Sequence, residues 1–496
     1  MRCTTCLIAA LSASLASAET VLGVYILSRH GDRTAKSTPP SNLTDLGYEE
    51  VFTSGTYFRN RYIASGATNP IYGINTDIVK LSQITASAPV DTVLQPSALG
   101  FLQGLYPPVG TQLGTATLRN GTQVQAPLSG YQLIPLQTVQ TGANSEDSAW
   151  LQGSTNCANA QISSNNYFTS AEYMQTLNKT QALYTRIYPD VNKTFTSSQA
   201  SYKNAYTIWD LLNVASIHNS TATAPLPSDD DFDQLRYLAF QHEWALAYNS
   251  SEPIRAVTGS IIAGQVVEAL NTTITSKGAS KLNVQFGAYA GMLSYFGLAN
   301  LTNVNSDFYG VPDYASTLTW ELVTNATVNS TSWPSTNQIS VRFLFHNGTT
   351  SNISQPVAYP LFNSNQALLS WNDFVTGMNK FAISDQASWC SACGNTTGVC
   401  SAAYLAAEGD ASAGNTASSG TSGSPSGSTS CNTSSSGSGG MSKAVAGVIG
   451  AMVTLAVILL IEGAILLLGG FRLVSKKRMA GARHGSPAME SSIGKA

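Results

Sequence analysis

The most continuous apolar runs of the chain lie near its two ends. Leu7 to Leu15 is a short stretch of apolar and small residues behind Arg2, and it leads into Ala16-Ser17-Ala18. A basic start, a short apolar stretch and a small-x-small triplet predict a signal peptide cleaved before Glu19; a buried N-terminal helix is the alternative. Near the other end, Ala444 to Leu468 is a 25-residue run with one charge, Glu462. About 20 apolar residues span a bilayer core. Arg472, Lys476, Lys477, Arg478 and Arg483 follow at once, which predicts that this side faces the cytosol. A lipid-anchor signal would end in its hydrophobic tail and not in a basic segment. The pattern therefore predicts a single-pass protein with its ectodomain outside the cytosol, at the cell surface or in a secretory-pathway membrane. Glu462 within the span is a candidate functional residue.

Between these ends the pattern is that of a folded α/β domain. Val21 to Leu27 is apolar throughout, as in a strand covered on both faces. Leu43-Thr44-x-x-Gly47 opens a helical stretch that runs to Arg59-x-Arg61-Tyr62, with Thr44 as its N-cap. Asp77 to Ser82 reads as a second strand and Leu282 to Phe286 as a late one, and Leu235 to Leu246 has helical spacing. Asp410 to Ser442 is almost wholly Ser, Gly, Thr, Ala and Asn, a composition that cannot bury a core and reads as a flexible, O-glycosylated stalk. The expected organisation is a signal peptide (1–18), an ectodomain (19–405), a stalk (406–443), a transmembrane helix (444–468) and a basic cytosolic tail (469–496).

Composition changes this picture in one respect. Only 11 % of the residues are charged, against about 25 % in an ordinary soluble domain. Hydrophobic residues make up 43 % and the net charge is −3, which excludes general disorder and argues against nucleic-acid binding. Fourteen Asn-x-Ser/Thr sequons begin at Asn42, Asn120, Asn178, Asn192, Asn219, Asn249, Asn271, Asn300, Asn325, Asn329, Asn347, Asn352, Asn395 and Asn432. In a secreted chain they predict that sugars supply the solvation that ions do not. After signal removal Cys157, Cys390, Cys393, Cys400 and Cys431 remain, and an oxidising compartment favours disulfides over metal or redox chemistry for the Cys390-x-x-Cys393 pair. The odd count leaves one thiol free or in an intermolecular bridge. No metal, nucleotide or redox cofactor motif occurs.

The candidate chemistry follows the first strand, in Ser28-Arg29-His30-Gly31-Asp32-Arg33-Thr34. Arginine forks fit phosphate oxygens, and a histidine between them can attack phosphorus. Gly31 is expected to let the backbone approach a ligand, and Asp32 to pair with an arginine. Arg483-His484-Gly485 repeats the three residues on the cytosolic tail, where they have no bearing on a luminal site.

The RHGxR loop after a buried strand resembles that of the histidine acid phosphatases, the second clade of the histidine phosphatase superfamily. The LTxxG…RxRY helix is similar to that family's, as are Ser97-Ala98 with Phe101 to Pro108. Phe240 to Leu246, Ile254 to Gly259, Phe308 to Ala315 and Trp389-Cys390 look like its fungal members. The likeness spans about Val21 to Cys400. It implies a phosphoglycerate-mutase-like three-layer sandwich, a mostly parallel sheet flanked by helices, with a helical insertion. It also implies His30 as phosphoryl acceptor, Arg29 and Arg33 as phosphate ligands, and a small phosphomonoester or other anion as ligand.

The rest of the family's site is degenerate. The resemblance leads one to expect a third arginine after the second strand, but Gln83 to Pro96 contains no Arg, Lys or His, and its one charge, Asp91, would repel phosphate. Where the family has a His-Asp pair after the late strand, this chain has Tyr289 and Ala290. Alanine cannot donate a proton, and tyrosine carries no positive charge. His242-Glu243 reads as a helical pair and not as a substitute, and His218 and His346 fall in loops without a role. Three functions follow: a phosphomonoesterase with a rearranged acid, a pseudo-phosphatase that binds an anionic ligand, or a structural surface glycoprotein.

Overall fold

The computed structural model describes residues 19–139, 155–219 and 226–402. The signal segment 1–18, the stalk 406–443, the run 444–468 with Glu462, the tail 469–496, Cys431 and Asn432 lie outside the described residues. Among the described residues no helix is long and apolar enough to cross a membrane. The strands are β1 (Thr20–Arg29), β2 (Ile84–Pro89), β3 (Thr115–Thr117), β4 (Gln123–Gln125), β5 (Leu136–Val139), β6 (Leu282–Gly287), β7 (Thr317–Thr324), β8 (Ile339–His346), β9 (Val357–Ala358) and β10 (Leu368–Ser370). The longer helices are α1 (Asp45–Tyr62), α2 (Leu94–Leu105), α3 (Ala158–Asn166), α4 (Ala171–Lys179), α5 (Gln181–Val191), α6 (Ala205–His218), α7 (Asp229–Ala247), α8 (Val257–Thr275), α9 (Tyr289–Leu298), α10 (Trp371–Met378) and α11 (Gln386–Cys393).

Every residue of β1 after Thr20 is buried, which is why the strand is apolar throughout. Its side chains enter two cores. Val24 and Ile26 pack with Val51, Phe58 and Tyr62 of α1 and with Phe101 and Leu105 of α2. Tyr25 and Leu27 join the larger core with Ile262, Val266 and Leu270 of α8. Helices therefore cover both faces of the sheet, and α3 to α8 form the insertion between β5 and β6.

The sheet runs β10-β8-β7-β1-β6-β2-β5, with β9 on β8. β1–β6, β6–β2 and β2–β5 are parallel, whereas β1–β7, β7–β8, β8–β10 and β8–β9 are antiparallel. The sheet is thus mixed and not mostly parallel. Parallel neighbours need a crossover, which α1, α2 and the insertion supply. Residues 325–338 between β7 and β8 carry no long helix and return the chain antiparallel.

The second strand also lies later than its hydropathy predicts. Ile78 and Leu81 of the expected segment are each 51 % exposed, while β2 is built from small residues, with Ala86 and Ala88 buried. Disulfides Cys157–Cys393 and Cys390–Cys400 join α11 to the start of α3 and to the segment that follows α11. The two cysteines of the Cys-x-x-Cys pair are therefore each bonded elsewhere.

Thr44 caps α1, its hydroxyl accepting from the Gly47 N–H at 3.1 Å. The loop after β1 rests on this first turn with no side chain between the backbones. A Cβ on Gly47 would lie 2.1 Å from the Asp32 carbonyl oxygen, and one on Gly31 would lie 2.1 Å from the Gly47 oxygen. Gly31 is therefore required by its approach to α1. Gly47→Ala is expected to destabilise the protein by about 3 kcal/mol, the upper end for overpacking, measured by denaturant unfolding; a change below about 0.5 kcal/mol would mean that the loop is not seated on α1.

Candidate functional site

Three segments converge at one edge of the sheet. Arg29, the last residue of β1, pairs with Gly287 at the end of parallel β6. Antiparallel β7 begins alongside, with Thr317 opposite Ser28. The register thus sets the loop 29–33 beside residues 288–290 and residues 312–316. The Arg29 N–H donates to the Ser316 oxygen at 2.9 Å, and the Ala315 N–H to the His30 oxygen at 2.8 Å. The Gly31 N–H donates to Ser97 Oγ at 3.2 Å, which ties in α2. In open α/β sheets, ligands bind outside the carboxyl ends of the parallel strands, and the loop 29–33 lies at that end of β1 and β6.

His30 is fully buried, and its Nδ1 lies 2.7 Å from the Gly31 carbonyl oxygen. A carbonyl only accepts, so Nδ1 carries a proton and Nε2 is the ring nitrogen left to face a ligand. Arg29 is buried, donates to the Pro312 carbonyl, and sets its guanidinium 4.6 Å from the ring centre of Tyr314 and 5.1 Å from that of Tyr289. The ring faces attract the cation.

Arg33 has a different partner. Its Nη2 and Nη1 donate to Asp210 Oδ1 and Oδ2 at 2.9 and 3.1 Å, with the two side chains 0 % and 1 % exposed. This is the two-pronged geometry by which arginine holds phosphate. Here the anion is a carboxylate of the chain itself, presented by α6. The Lys36 N–H also donates to Asp210 Oδ2, at 2.8 Å. Burial by itself lowers the pKa of Arg33, but Tyr206 and Asp210 outweigh it and raise the value, so the guanidinium stays charged. Burial is the largest cause that raises the phenols of Tyr206 and Tyr314, which therefore stay neutral. Tyr206 and Tyr289 approach each other to 4.9 Å between ring centres, and Lys36 Nζ lies 5.8 and 5.4 Å from the two.

The structure therefore brings Arg29, His30 and Arg33 together, buries all three and surrounds them with Tyr206, Tyr289 and Tyr314. Tyr289, the first residue of α9, donates from its hydroxyl to Glu243 Oε2 at 2.8 Å. Ala290 follows it and has no proton to give. The pair His242-Glu243 is helical, with His242 Nδ1 3.0 Å from Glu243 Oε1, but Glu243 reaches the site through Tyr289.

Several expectations are corrected by this geometry. Asp32 does not pair with an arginine, because Asp210 occupies Arg33 and the Pro312 carbonyl binds Arg29. Its Oδ2 lies 2.6 Å from His218 Nε2 and accepts from Thr44 Oγ1 at 2.5 Å. His218 is not in a loop but ends α6, and so reaches the first motif. His346 ends β8 and is held by the Gly348 carbonyl at 2.9 Å and Ser354 Oγ at 2.7 Å. Asp91 Oδ1 accepts from the Val93 and Leu94 N–H groups at 2.7 and 2.8 Å, at the start of α2.

Sequence reasoning missed Asp210 and Glu50. Asp210 is the only charge in Ala205 to Ile217, between buried Ile208, Trp209 and Leu212, and a lone acid among apolar residues was the available signal. Glu50 of α1 accepts the Asp32 N–H at 2.7 Å. Burial, the largest cause, pushes its carboxyl up to about 7, partly offset by that hydrogen bond.

The family profile described as histidine phosphatase superfamily (branch 2) matches residues 37–346, more than half of the chain. No curated protein matches the sequence. Among solved structures, the chain is similar to the Hafnia alvei phytase in its apo form, with 13 % identity and a TM-score of 0.48, covering 76 % of this chain and 98 % of that one. It is similar to the phytase from Citrobacter braakii, with 15 % identity and a TM-score of 0.49 over 76 % and 100 %. It is also similar to the phytase from D. castellii, with 13 % identity and a TM-score of 0.47 over 77 % and 84 %. The chain belongs to branch 2 of the histidine phosphatase superfamily, the histidine acid phosphatases.

Proposed function

We propose that this chain is a phosphatase-like surface glycoprotein whose phosphomonoesterase activity is weak or absent, because its anion site is filled from within. The observation that carries this reading is the buried two-pronged pair between Arg33 and Asp210. A phosphate approaching His30 competes with a carboxylate already held by Arg33 and by the Lys36 N–H. Breaking a buried pair costs about 3–5 kcal/mol, which the incoming ligand must return.

Turnover needs two further parts. His30 Nε2 would attack phosphorus, and the leaving alkoxide would need a proton as the ester bond breaks. Ala290 cannot supply it, and the loss of a general acid costs about 10²–10⁴ in rate. Tyr289 adds no charge to replace a second cationic grip. Among the described residues the basic side chains set around the three tyrosine rings are Arg29, Arg33 and Lys36, a small set that suits a small phosphomonoester or other anion better than a polyphosphorylated substrate.

Glu50 supports a second reading, a slow phosphatase with a displaced acid. Its carboxyl, raised to about 7, stays protonated at mildly acidic pH beside Asp32. The ectodomain on this account lies outside the cytosol, above a single membrane span. Thirteen of the fourteen sequon asparagines lie within the described residues and none of them is buried, which supports a glycosylated surface.

Hydrolysis of p-nitrophenyl phosphate between pH 4 and 6, with the purified full-length protein beside His30→Ala and Glu50→Gln, tests both readings. The expected result is a wild-type rate within about tenfold of the His30→Ala background. A high rate abolished by His30→Ala would refute the filled-site reading, and a further fall of about 10²-fold in Glu50→Gln would assign the acid.

Glu50 also predicts a pH dependence of stability. Its folded-state pKa of about 7 lies above the ordinary value of 4.5, so the folded protein binds the extra proton between these limits. Its contribution is fully favourable below pH 4.5 and is lost as pH rises through 7. The melting temperature of Glu50→Gln should gain on that of the wild type from pH 4.5 to 7.5. A constant difference across that range would contradict the assignment.

A further inference from the structure

Residues 345–349 read Phe-His-Asn-Gly-Thr, so the sequon at Asn347 follows an aromatic residue by two positions. None of the other thirteen sequons has an aromatic side chain at that spacing. Phe345 is the penultimate residue of β8, and Asn347 lies just past its end. Residues two apart in an extended chain face the same side. Both line one cavity of about 680 Å³, a volume typical of small-molecule sites.

The other walls of this cavity are largely aromatic. Phe240 and Trp244 of α7 line it together with Tyr309. The Trp244 and Tyr309 rings meet edge to face with centres 4.8 Å apart, and Tyr309 is 47 % exposed. Phe345 is backed by Phe296 and Phe308 at 5.2 and 5.1 Å. Gln241, Ser306 and Asp313 add polar groups to the lining. The lining includes none of Arg29, His30, Arg33 or Tyr289, although Pro312, whose carbonyl holds Arg29, forms part of its wall, so the cavity adjoins the anion loop from outside.

The Asn347 amide is oriented by its neighbours. Its Oδ1 accepts from the Asp313 N–H at 2.8 Å and from Ser316 Oγ at 3.2 Å, and its Nδ2 lies 3.4 Å from Asp313 Oδ2. A glycosylated asparagine keeps its Oδ1 and one N–H, so both contacts to Oδ1 survive attachment of a sugar. N-acetylglucosamine has an apolar face of ring C–H groups and a polar edge. These match an aromatic wall with hydrogen-bonding groups around it.

We propose that Asn347 carries an N-linked glycan whose first N-acetylglucosamine seats in this aromatic cavity as a built-in part of the fold. In the attachment, Nδ2 bonds to C1 of a sugar carried on a lipid pyrophosphate. The pyrophosphate leaves with the C1–O bonding pair, and the amide gives up one proton. The proposal rests on the reading that the ectodomain passes through the secretory pathway.

The full chain is expressed in a eukaryotic secretory host, and site occupancy is read by glycopeptide mass spectrometry. Asn347 should be occupied in most molecules. Thr349→Ala removes the sequon and leaves Asn347 with its hydrogen bonds. It should lower the melting temperature by about 2 °C, the scale of one aromatic contact. Thr194→Ala, which removes the sequon of Asn192 two positions after Asp190, should cost less than half as much. In a Tyr309→Ala background the loss from Thr349→Ala should nearly vanish, since a double-mutant cycle isolates a direct contact. An empty Asn347 beside occupied sequons elsewhere, or an equal loss in both backgrounds, overturns the proposal. Absence of glycan at every sequon overturns the secretory reading and the proposal with it.

Discussion

The buried ion pair between Arg33 and Asp210 sets the terms for the rest of the site. It joins the loop after β1 to α6 of the helical insertion, and so couples sheet and insertion through charge where apolar contacts alone would leave an unpaired guanidinium. Such a pair adds little net stability, because desolvation offsets most of the attraction. Its effect is positional. With Asp210 in place, the Lys36 N–H has an acceptor, Tyr206 lies against Arg33, and the ring of Tyr289 closes over Arg29.

Local neutrality then accounts for the residues that stand where the family resemblance leads one to expect a third arginine and a His-Asp pair. A phosphate would bring about two negative charges, which two arginines, a third arginine and a histidine would balance. Asp210 brings one, and Arg33 meets it directly. Arg29 is satisfied by the Pro312 carbonyl and two ring faces. A neutral Tyr289 and a small Ala290 suit such a site, whereas more positive charge would be left without a partner. On the far side of the loop, Asp32 is held by His218 and Thr44, so each charge of the first motif has a protein partner.

The parts of this arrangement that were legible in the sequence are those set by local pattern. The apolar run of β1, the Thr44 cap of α1 and the end of β6 follow from hydropathy period and capping chemistry, and they place Arg29, His30, Arg33 and Tyr289 together. β2 was not legible in its true position, because it is built from Ala86 and Ala88 under α2 and carries little hydropathy. The antiparallel half of the sheet depends on how residues 325–338 turn, which no period reports. Asp210 lies 177 positions from Arg33. Only the fold joins the two, although a lone acid among apolar neighbours marked it as a residue in need of a partner. Glu50 was hidden for the opposite reason, since an acid in the first turns of a helix looks like an ordinary solvated charge.

The most direct measurement is a crystal structure of the protein grown with orthovanadate, which mimics phosphate at a nucleophilic histidine. The account predicts Arg33 still paired with Asp210 in both prongs and no vanadate within hydrogen-bonding distance of His30. Vanadate bonded to His30 Nε2, with Arg33 turned from Asp210 onto its oxygens, would contradict it.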